Sequence, residues 1–148
     1  MTDPVTRNHL EYDPDNIFAK ILRGDLPSVK VFENTATLAF MDVMPQASGH
    51  TLVIPKNPSV NMMDIQESDA LELIKTVRLL APIVQQAMQA EGVQIVQLNG
   101  PSAGQTVFHT HFHIIPRNEG LEMQFHAKEM EDIAVLEAQA TKIRALLE

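Results

Sequence analysis

Three histidines stand at alternate positions in the stretch "HTHFHIIPR", residues 109–117. Successive side chains of a β-strand point to opposite faces, so this spacing predicts a strand with His109, His111 and His113 on one face. The opposite face then carries mainly apolar residues, namely Phe108, Thr110, Phe112 and Ile114. A sheet with one packed face and one face that lines a cleft has this pattern. The stretch therefore predicts a strand that presents imidazoles to a cleft.

The remaining chain predicts an α+β fold. A short helix is expected from Asp15 to Gly24, a main helix from Ser68 to Glu91, and an amphipathic C-terminal helix from Met130 onward. Pro82 is expected to kink or split the main helix. The apolar positions of that helix recur at intervals of three and four, a pattern that suits either a face buried in the monomer or a dimer interface: Leu71, Ile74, Val77, Ala81, Val84 and Met88. Strand-like runs occupy residues 29–34, 37–43, 50–56, 93–99 and 106–116, which predicts about five antiparallel strands.

Length and composition limit the class of protein. The chain has 148 residues, enough for one domain over residues 15–148, and residues 1–14 are polar and predict a flexible arm. The chain contains no cysteine and its N-terminus lacks the features of a secretory signal, so we expect a cytoplasmic protein. No apolar run approaches the roughly 18 residues that a membrane span needs. A formal charge of −8 argues against binding to a nucleic-acid polymer.

The three imidazoles allow more than one chemistry. His109 and His113 would lie roughly 13 Å apart along an extended strand, so the three cannot share one zinc ion. An adjacent pair could still bind zinc together with His50 or His126, and a stripe without function also remains open. Neutral imidazole is, however, a good nucleophile near pH 7. A central histidine flanked by two others would suit attack on phosphorus.

The loop that precedes the histidines offers donors for a phosphate. The stretch "LNGPSAGQT" carries Gly100 and Gly104, where the absence of a side chain lets backbone N–H groups approach an anion. Further donors are Asn99, Ser102, Gln105 and Thr106. No Gly-Lys-Ser/Thr follows, so this is not a Walker loop. The loop and the histidines together predict a phosphate site.

These features resemble the histidine triad (HIT) proteins, whose signature is His-x-His-x-His followed by apolar residues. The signature stands here as "HTHFHII", preceded by "AGQTVF". Three blocks agree in order and spacing: "NIFAKILRGDLPS", "LAFMDVMPQASGHTLVIPK" and "VQLNGPSAGQTVFHTHFHIIPR". The resemblance covers residues 16–117, and it implies a HIT-like fold and a hydrolase that acts at the α-phosphate of a purine nucleotide.

The resemblance implies a role for each matching residue. His111 would attack phosphorus and carry a covalent nucleotidyl group, His109 and His113 would flank the phosphate, and His50 would lie near the site. Residues matching the phosphate-binding positions are Asn99, Gly104, Gln105 and Thr106. Asp42 matches the carboxylate that accepts both ribose hydroxyls. The apolar slot for the base corresponds to Ile17, Phe18, Ile21, Phe40 and Val43.

Departures from the family pattern bear on the expected metal content, acceptor and substrate. Asn16 and Ala19 replace the Cys-x-x-Cys of relatives with a structural zinc, so neither a metal nor another cofactor is expected. His113 stands where the uridylyltransferase branch has glutamine, which favours water as acceptor. The resemblance implies nucleoside phosphoramidates as substrates. The alternatives are Fhit-type dinucleoside polyphosphates, or a nucleotide-binding interaction protein with little turnover. Family members usually form homodimers through the main helix and a sheet edge.

Overall fold

The protein folds around a single antiparallel sheet. The structure is a computed structural model that describes residues 11–121 and 129–148. Its elements are α1 (Ile17–Leu22), β1 (Lys30–Glu33), β2 (Thr37–Met41), β3 (Thr51–Pro55), α2 (Glu67–Ala87), β4 (Gly92–Val96), a 3₁₀ helix (Pro101–Ala103), β5 (Phe112–Arg117) and α3 (Ile133–Leu147). The five described strands lie in the order β1-β2-β3-β5-β4. This architecture confirms the predicted α+β fold.

The two faces of the sheet have different partners. On one face, residues such as Val53 and Ile114 pack against Leu80 of α2 and Leu136 of α3 in the main core. The opposite face carries a continuous row across four strands, in which each residue pairs with the next: Phe40, Leu52, His113 and Val96. The only helix that packs on this second face, among the described residues, is the short α1, through Phe18. Much of the second face is therefore left uncovered.

The start of α1 and its end follow the prediction. The Asn16 side chain accepts a hydrogen bond from the Ala19 N–H at 2.9 Å and caps the helix. Gly24 follows the helix with φ +85°, a conformation that glycine adopts without strain. None of the described helices is both long and apolar enough to cross a membrane.

The apolar positions along α2 are not all buried within the chain. Leu71 and Ile74 are 57% and 47% exposed, whereas Leu73, Thr76 and Leu80 are buried. The helix carries two apolar stripes, and periodicity alone does not determine which of them meets the sheet. Thr76 can face the core because its hydroxyl hydrogen-bonds that of Thr37 on β2 at 2.7 Å.

Pro82 lies inside a continuous helix and does not split it. Proline cannot donate to the carbonyl four residues earlier, that of Arg78. Both residues are exposed, so water can satisfy that carbonyl. The helix ends at Ala87, not Glu91, because the chain turns away at Gln89, which has φ +51°.

The strand predicted from residue 106 begins only at Phe112. The preceding segment is held by a loop after β3 instead of by a neighbouring strand. The Thr110 N–H donates to the Ser59 carbonyl at 2.9 Å, and the two side-chain hydroxyls lie 2.6 Å apart. His109 and His111 therefore lie before the strand, although the His111 ring still lies beside that of His113, with centroids 4.9 Å apart. The C-terminal helix also begins later than predicted, at Ile133, where Asp132 caps it.

Candidate active site

A cavity of about 550 Å³ opens on the sheet face opposite α2 and α3. All six residues predicted to bind the nucleoside line this cavity: Ile17, Phe18, Ile21, Phe40, Asp42 and Val43. Helix α1 supplies one apolar wall, and β2 with the turn after it supplies another. His111 and His113 also line the cavity. The cavity thus combines an apolar slot with two imidazoles.

His111 is oriented by the backbone of the first histidine of the triad. Its Nδ1 lies 2.7 Å from the carbonyl oxygen of His109, and because a carbonyl only accepts, Nδ1 must carry the proton. Burial lowers the pKa of His111 below its usual range, so the ring is neutral and Nε2 holds a lone pair. The Phe18 ring packs edge-on against it, with centroids 5.0 Å apart. The arrangement leaves Nε2 available as a nucleophile.

A directional chain of hydrogen bonds fixes His113. The Gln46 N–H can only donate, and it reaches His50 Nδ1 at 3.0 Å, so the proton of neutral His50 is on Nε2. His50 Nε2 lies 2.9 Å from His113 Nδ1, which must then accept. His113 consequently carries its own proton on Nε2. Burial lowers the pKa of His50 to about 3, so its 3.4 Å contact with Asp42 is not an ion pair.

The ring of His109 does not flank the cavity, contrary to the prediction. Its Nε2 lies 2.8 Å from the Pro55 carbonyl, its Nδ1 lies 2.6 Å from the Tyr12 hydroxyl, and the residue is fully buried. Both ring nitrogens are therefore used within the protein. The part of His109 that bears on the site is its carbonyl oxygen, which orients His111.

In the loop before the triad, most of the groups predicted to donate to a phosphate are used in hydrogen bonds within the protein. The Gln105 amide is buried and donates to the carbonyls of Val60 (2.7 Å) and Val107 (3.0 Å), while its oxygen accepts from the Gly100 N–H at 2.8 Å. The Gly104 N–H donates to the Pro101 carbonyl at 3.0 Å. The glycine amides and Gln105 thus shape the loop and are not free to bind an anion.

Two of the four predicted phosphate residues lie at the cavity, Gly104 and Thr106. Gly104 has φ +100°, and a Cβ there would meet a Leu98 methyl at 3.3 Å. Thr106 is exposed, and its hydroxyl and N–H make no hydrogen bond with any described residue. The Asn99 side chain instead braces the loop, since it accepts from the Met62 N–H at 2.8 Å. Thr106 is therefore the best-placed side-chain donor.

Asp42 lines the cavity, and its carboxyl group has a higher pKa than an ordinary aspartic acid. Burial raises its pKa to about 6, an effect only partly offset by the Met44 N–H, which donates to Oδ1 at 2.8 Å. The carboxylate is ionised at neutral pH but changes charge within the mildly acidic range. A half-buried carboxylate beside an apolar slot suits the recognition of two adjacent hydroxyls.

Comparison with known proteins places this geometry in a family. The sequence model of the family described as HIT domain matches residues 23–120, about two thirds of the chain. The chain belongs to the HIT domain family. A HIT-like protein from Bartonella henselae, of solved structure, is 47% identical and matches with a TM-score of 0.87 over 92% of this chain and 98% of its own.

Two curated relatives in the HIT domain family align over 101 residues each. "Protein hit" of Bacillus subtilis is 42% identical over 68% of this chain and 70% of its own length. The adenosine 5'-monophosphoramidase of Schizosaccharomyces pombe is 40% identical over 68% of this chain and 73% of its own length. This HIT domain protein is thus similar to proteins that include a named hydrolase of a nucleotide.

Among the described residues, one group of possible metal ligands comes together in this HIT domain, and its hydrogen bonds do not suit a metal ion. Ligand atoms of Asp42, His50 and His113 lie within 4.8 Å of one another. His50 would have to coordinate through Nε2, but the Gln46 N–H fixes the proton on that atom. Neither ring nitrogen of His109 is available, and His126 lies outside the described residues. Asp42, His50 and His113 are better described as a hydrogen-bonded group than as a metal site.

Sequence reasoning missed several residues of the site. Gln94 and Val96 on β4 and Ile115 on β5 form part of the cavity floor. The strand register could have identified these residues, because Gln94 pairs with Ile115 and Val96 pairs with His113. Tyr12 was assigned to a flexible arm over residues 1–14, yet it contacts His109. Residues 1–10 lie outside the described part of the chain, and the domain boundary stays a prediction.

Proposed function

We propose that this HIT domain protein hydrolyses nucleotides at the α-phosphate through a covalent nucleotidyl group on His111. One observation carries the proposal: His111 donates its Nδ1 proton to the His109 carbonyl, and the lone pair on Nε2 belongs to a ring that lines the cavity. Desolvation keeps the imidazole neutral, which is the state that attacks phosphorus.

The proposed path has two displacements. In the first, His111 Nε2 forms a bond to the α-phosphorus while the bond from phosphorus to the leaving nitrogen breaks. The leaving nitrogen takes one proton from Nε2 of His113. That nitrogen carries a proton because the hydrogen bonds from Gln46 to His50 and from His50 to His113 fix the tautomer of His113. In the second, water attacks phosphorus, the bond to His111 breaks, and the water returns one proton to His113, which gave one to the leaving nitrogen. The products are an amine and a nucleoside monophosphate.

The cavity walls support a nucleoside as the bound group. The slot formed by Ile17, Phe18 and Phe40 offers apolar surface to a purine ring. Asp42 would accept hydrogen bonds from the ribose hydroxyls, and the Thr106 hydroxyl would donate to a phosphate oxygen. AMP and other purine nucleotides combine these three groups in one molecule.

The charge of the cavity favours a phosphoramidate over a dinucleoside polyphosphate. None of the described residues that line the cavity is lysine or arginine. A polyphosphate leaving group carries several negative charges, and proteins usually bind such groups with cationic side chains. An amine leaving group needs no cation. The name of the Schizosaccharomyces pombe relative, adenosine 5'-monophosphoramidase, agrees with this choice.

The decisive experiment compares rates on two substrates. We expect turnover of an adenosine phosphoramidate at least tenfold faster, in kcat/KM, than turnover of a dinucleoside polyphosphate. The reverse order would refute the amine leaving group but not the reaction class. Binding of AMP without turnover of either substrate would favour an interaction protein instead.

A labelling experiment tests the nucleophile separately. Protein denatured during turnover of a nucleotide labelled in the α-phosphate should retain an acid-labile label. His111→Ala should abolish the label and the turnover together. His113→Asn is the matched control, since it should slow turnover yet still allow the label to form. Wild-type turnover by His111→Ala would exclude the mechanism.

We also propose that the protein forms a homodimer. Leu71 and Ile74 are exposed on α2, and Ile95 is 43% exposed on β4, which is an edge strand. Exposed apolar side chains on a helix and on an edge strand are typical of an interface. Light scattering should give twice the chain mass, and Ile74→Glu should halve it. Ile133→Glu, on the exposed side of α3, is the matched control and should leave the dimer intact.

A further inference from the structure

Tyr12 makes a contact that spans most of the chain and ends at the triad. Its hydroxyl lies 2.6 Å from Nδ1 of His109, which is 97 residues away in sequence. The two rings also pack edge to face, with centroids 5.7 Å apart. A fully buried imidazole on one side and a half-buried phenol on the other shield this bond from water. It is therefore more than a surface contact.

The direction of the Tyr12 hydrogen bond follows from the other side of the ring. The Pro55 carbonyl only accepts, so His109 Nε2 carries the proton that occupies the 2.8 Å gap to it. Burial lowers the pKa of His109 to about 4, so the ring is neutral and Nδ1 has a lone pair. The phenol must then be the donor. Tyr12 and Pro55 hold the ring between them in a single tautomer.

The position of Tyr12 is itself fixed by the helix that lines the cavity. The Asp13 carbonyl accepts hydrogen bonds from the N–H (3.2 Å) and the side-chain amide (2.7 Å) of Asn16, the residue that caps α1. The Arg23 guanidinium holds the same segment through the Pro14 carbonyl and the Asp15 carboxylate. The segment before α1 is therefore held against the domain at Tyr12.

We propose that Tyr12 is a positioning residue, whose hydroxyl locks the His109 ring and thereby the His109 carbonyl that orients the nucleophile His111. This inference rests on the proposed function, because it gives the nucleophile its orientation. The link is short: the phenol holds the ring of His109, the carbonyl of the same residue accepts the Nδ1–H of His111 at 2.7 Å, and Nε2 of His111 reacts. Tyr12 does not line the cavity.

Tyr12→Phe in the full chain removes only the hydroxyl and keeps the ring contact. We expect kcat to fall about tenfold, because misorientation of a reacting group commonly costs one to two orders of magnitude. KM should change less than twofold, since the walls that would hold the nucleoside are untouched. Thr76→Val is the matched control: it removes a buried hydroxyl bonded to Thr37 on the other face of the sheet and should leave kcat unchanged.

The alkaline limb of the pH profile separates positioning from a general loss of structure. Tyr12 is the only tyrosine and the chain has no tryptophan, so the phenolate absorbance reports this one residue. Burial raises the pKa of Tyr12 above its usual 10.0. A phenolate cannot donate a hydrogen bond, so kcat of the wild type should fall in step with the phenolate absorbance. Tyr12→Phe should lack this limb while sharing all other alkaline effects.

The outcomes distinguish this inference from the proposed function. If His111→Ala is inactive while Tyr12→Phe keeps the wild-type kcat and alkaline limb, the role of Tyr12 is refuted and the mechanism stands. If the wild type turns over no nucleotide, the proposed function is refuted and the positioning role with it. A lowered kcat, an unchanged KM and the loss of the alkaline limb in Tyr12→Phe together support the inference.

Discussion

Mild acid should destabilise this fold because His50, His109 and His111 are all buried in the neutral state. Burial lowers the pKa of His50 to about 3 and that of His109 to about 4, from 6.5. The unfolded chain binds protons at both rings near pH 6.5, whereas the folded chain does not. The stability that these groups provide is therefore fully present above about pH 6.5, and it is lost as pH falls from there toward 4.

The size of the effect follows from proton linkage. Between pH 7 and pH 5 each histidine costs about 2 kcal/mol of folding free energy, so the two together cost about 4 kcal/mol. Asp42 acts in the opposite direction, because its folded pKa of about 6 lies above its unfolded value. It binds a proton in the folded state first and offsets about 1 kcal/mol. The net loss from these three groups is about 2 to 3 kcal/mol, which is a large share of a typical domain stability. Burial of neutral His111, whose pKa is also lowered, adds to this loss.

Urea unfolding at pH 7, 6 and 5 measures this loss directly. The wild type should lose at least about 2 kcal/mol between pH 7 and pH 5, since His111 adds to the loss from His50 and His109. His50→Asn removes one titrating ring and should lose about 2 kcal/mol less, while Asp42→Asn should lose about 1 kcal/mol more. The denaturant dependence, m, should be the same at each pH. A wild-type stability that is flat over this range, or the same pH slope in both variants, would refute the reasoning.

Three further predictions concern the site and its supports. Gly49→Ala should cost about 2 to 4 kcal/mol in urea unfolding, because Gly49 has φ +87° and a Cβ would lie 2.4 Å from the Cγ of Met88; Met88→Ala in the same chain should recover the part due to overlap. Gln105→Leu should cost about 2 to 3 kcal/mol and lower kcat, since that amide holds the loop before the triad, whereas Thr141→Val, exposed on α3, should stay within about 0.5 kcal/mol. In steady-state kinetics, KM for a ribonucleotide should rise as pH falls below about 6 and Asp42 takes up a proton, and Asp42→Asn should lose this dependence.

Local rules in the sequence were enough for much of the fold. Asn16 and Gly24 mark the two ends of α1, and five strand-like runs correspond to the five strands. Patterns within one element failed where a distant element decides the outcome. Leu71 is as apolar as Leu73, but only Leu73 meets the sheet. The alternation in "HTHFHIIPR" predicts one strand face, but Ser59 bonds Thr110 and delays the strand to Phe112.

In the candidate site, too, local sequence patterns were informative and contacts between distant residues were not predicted. Resemblance to the HIT family located the apolar wall of the cavity, including Phe18 and Phe40, because those positions follow from sequence order. It did not predict that the His109 ring faces away from the cavity, since that depends on Tyr12 and Pro55, which are far away in the chain. Hydrogen bonds between distant residues leave no periodic pattern, so only coordinates identify them.

The lack of lysine and arginine among the described residues that line the cavity affects how fast a ligand arrives. The protein carries a formal charge of −8 and approaches an anionic nucleotide against long-range repulsion. Added salt screens this repulsion, so the encounter rate should increase with ionic strength, opposite to the trend of enzymes that attract their substrates through basic patches. Selectivity must then come from fit and hydrogen bonding after contact. Under the proposed function, the departing monophosphate would meet no lysine or arginine among the described lining residues to delay its escape.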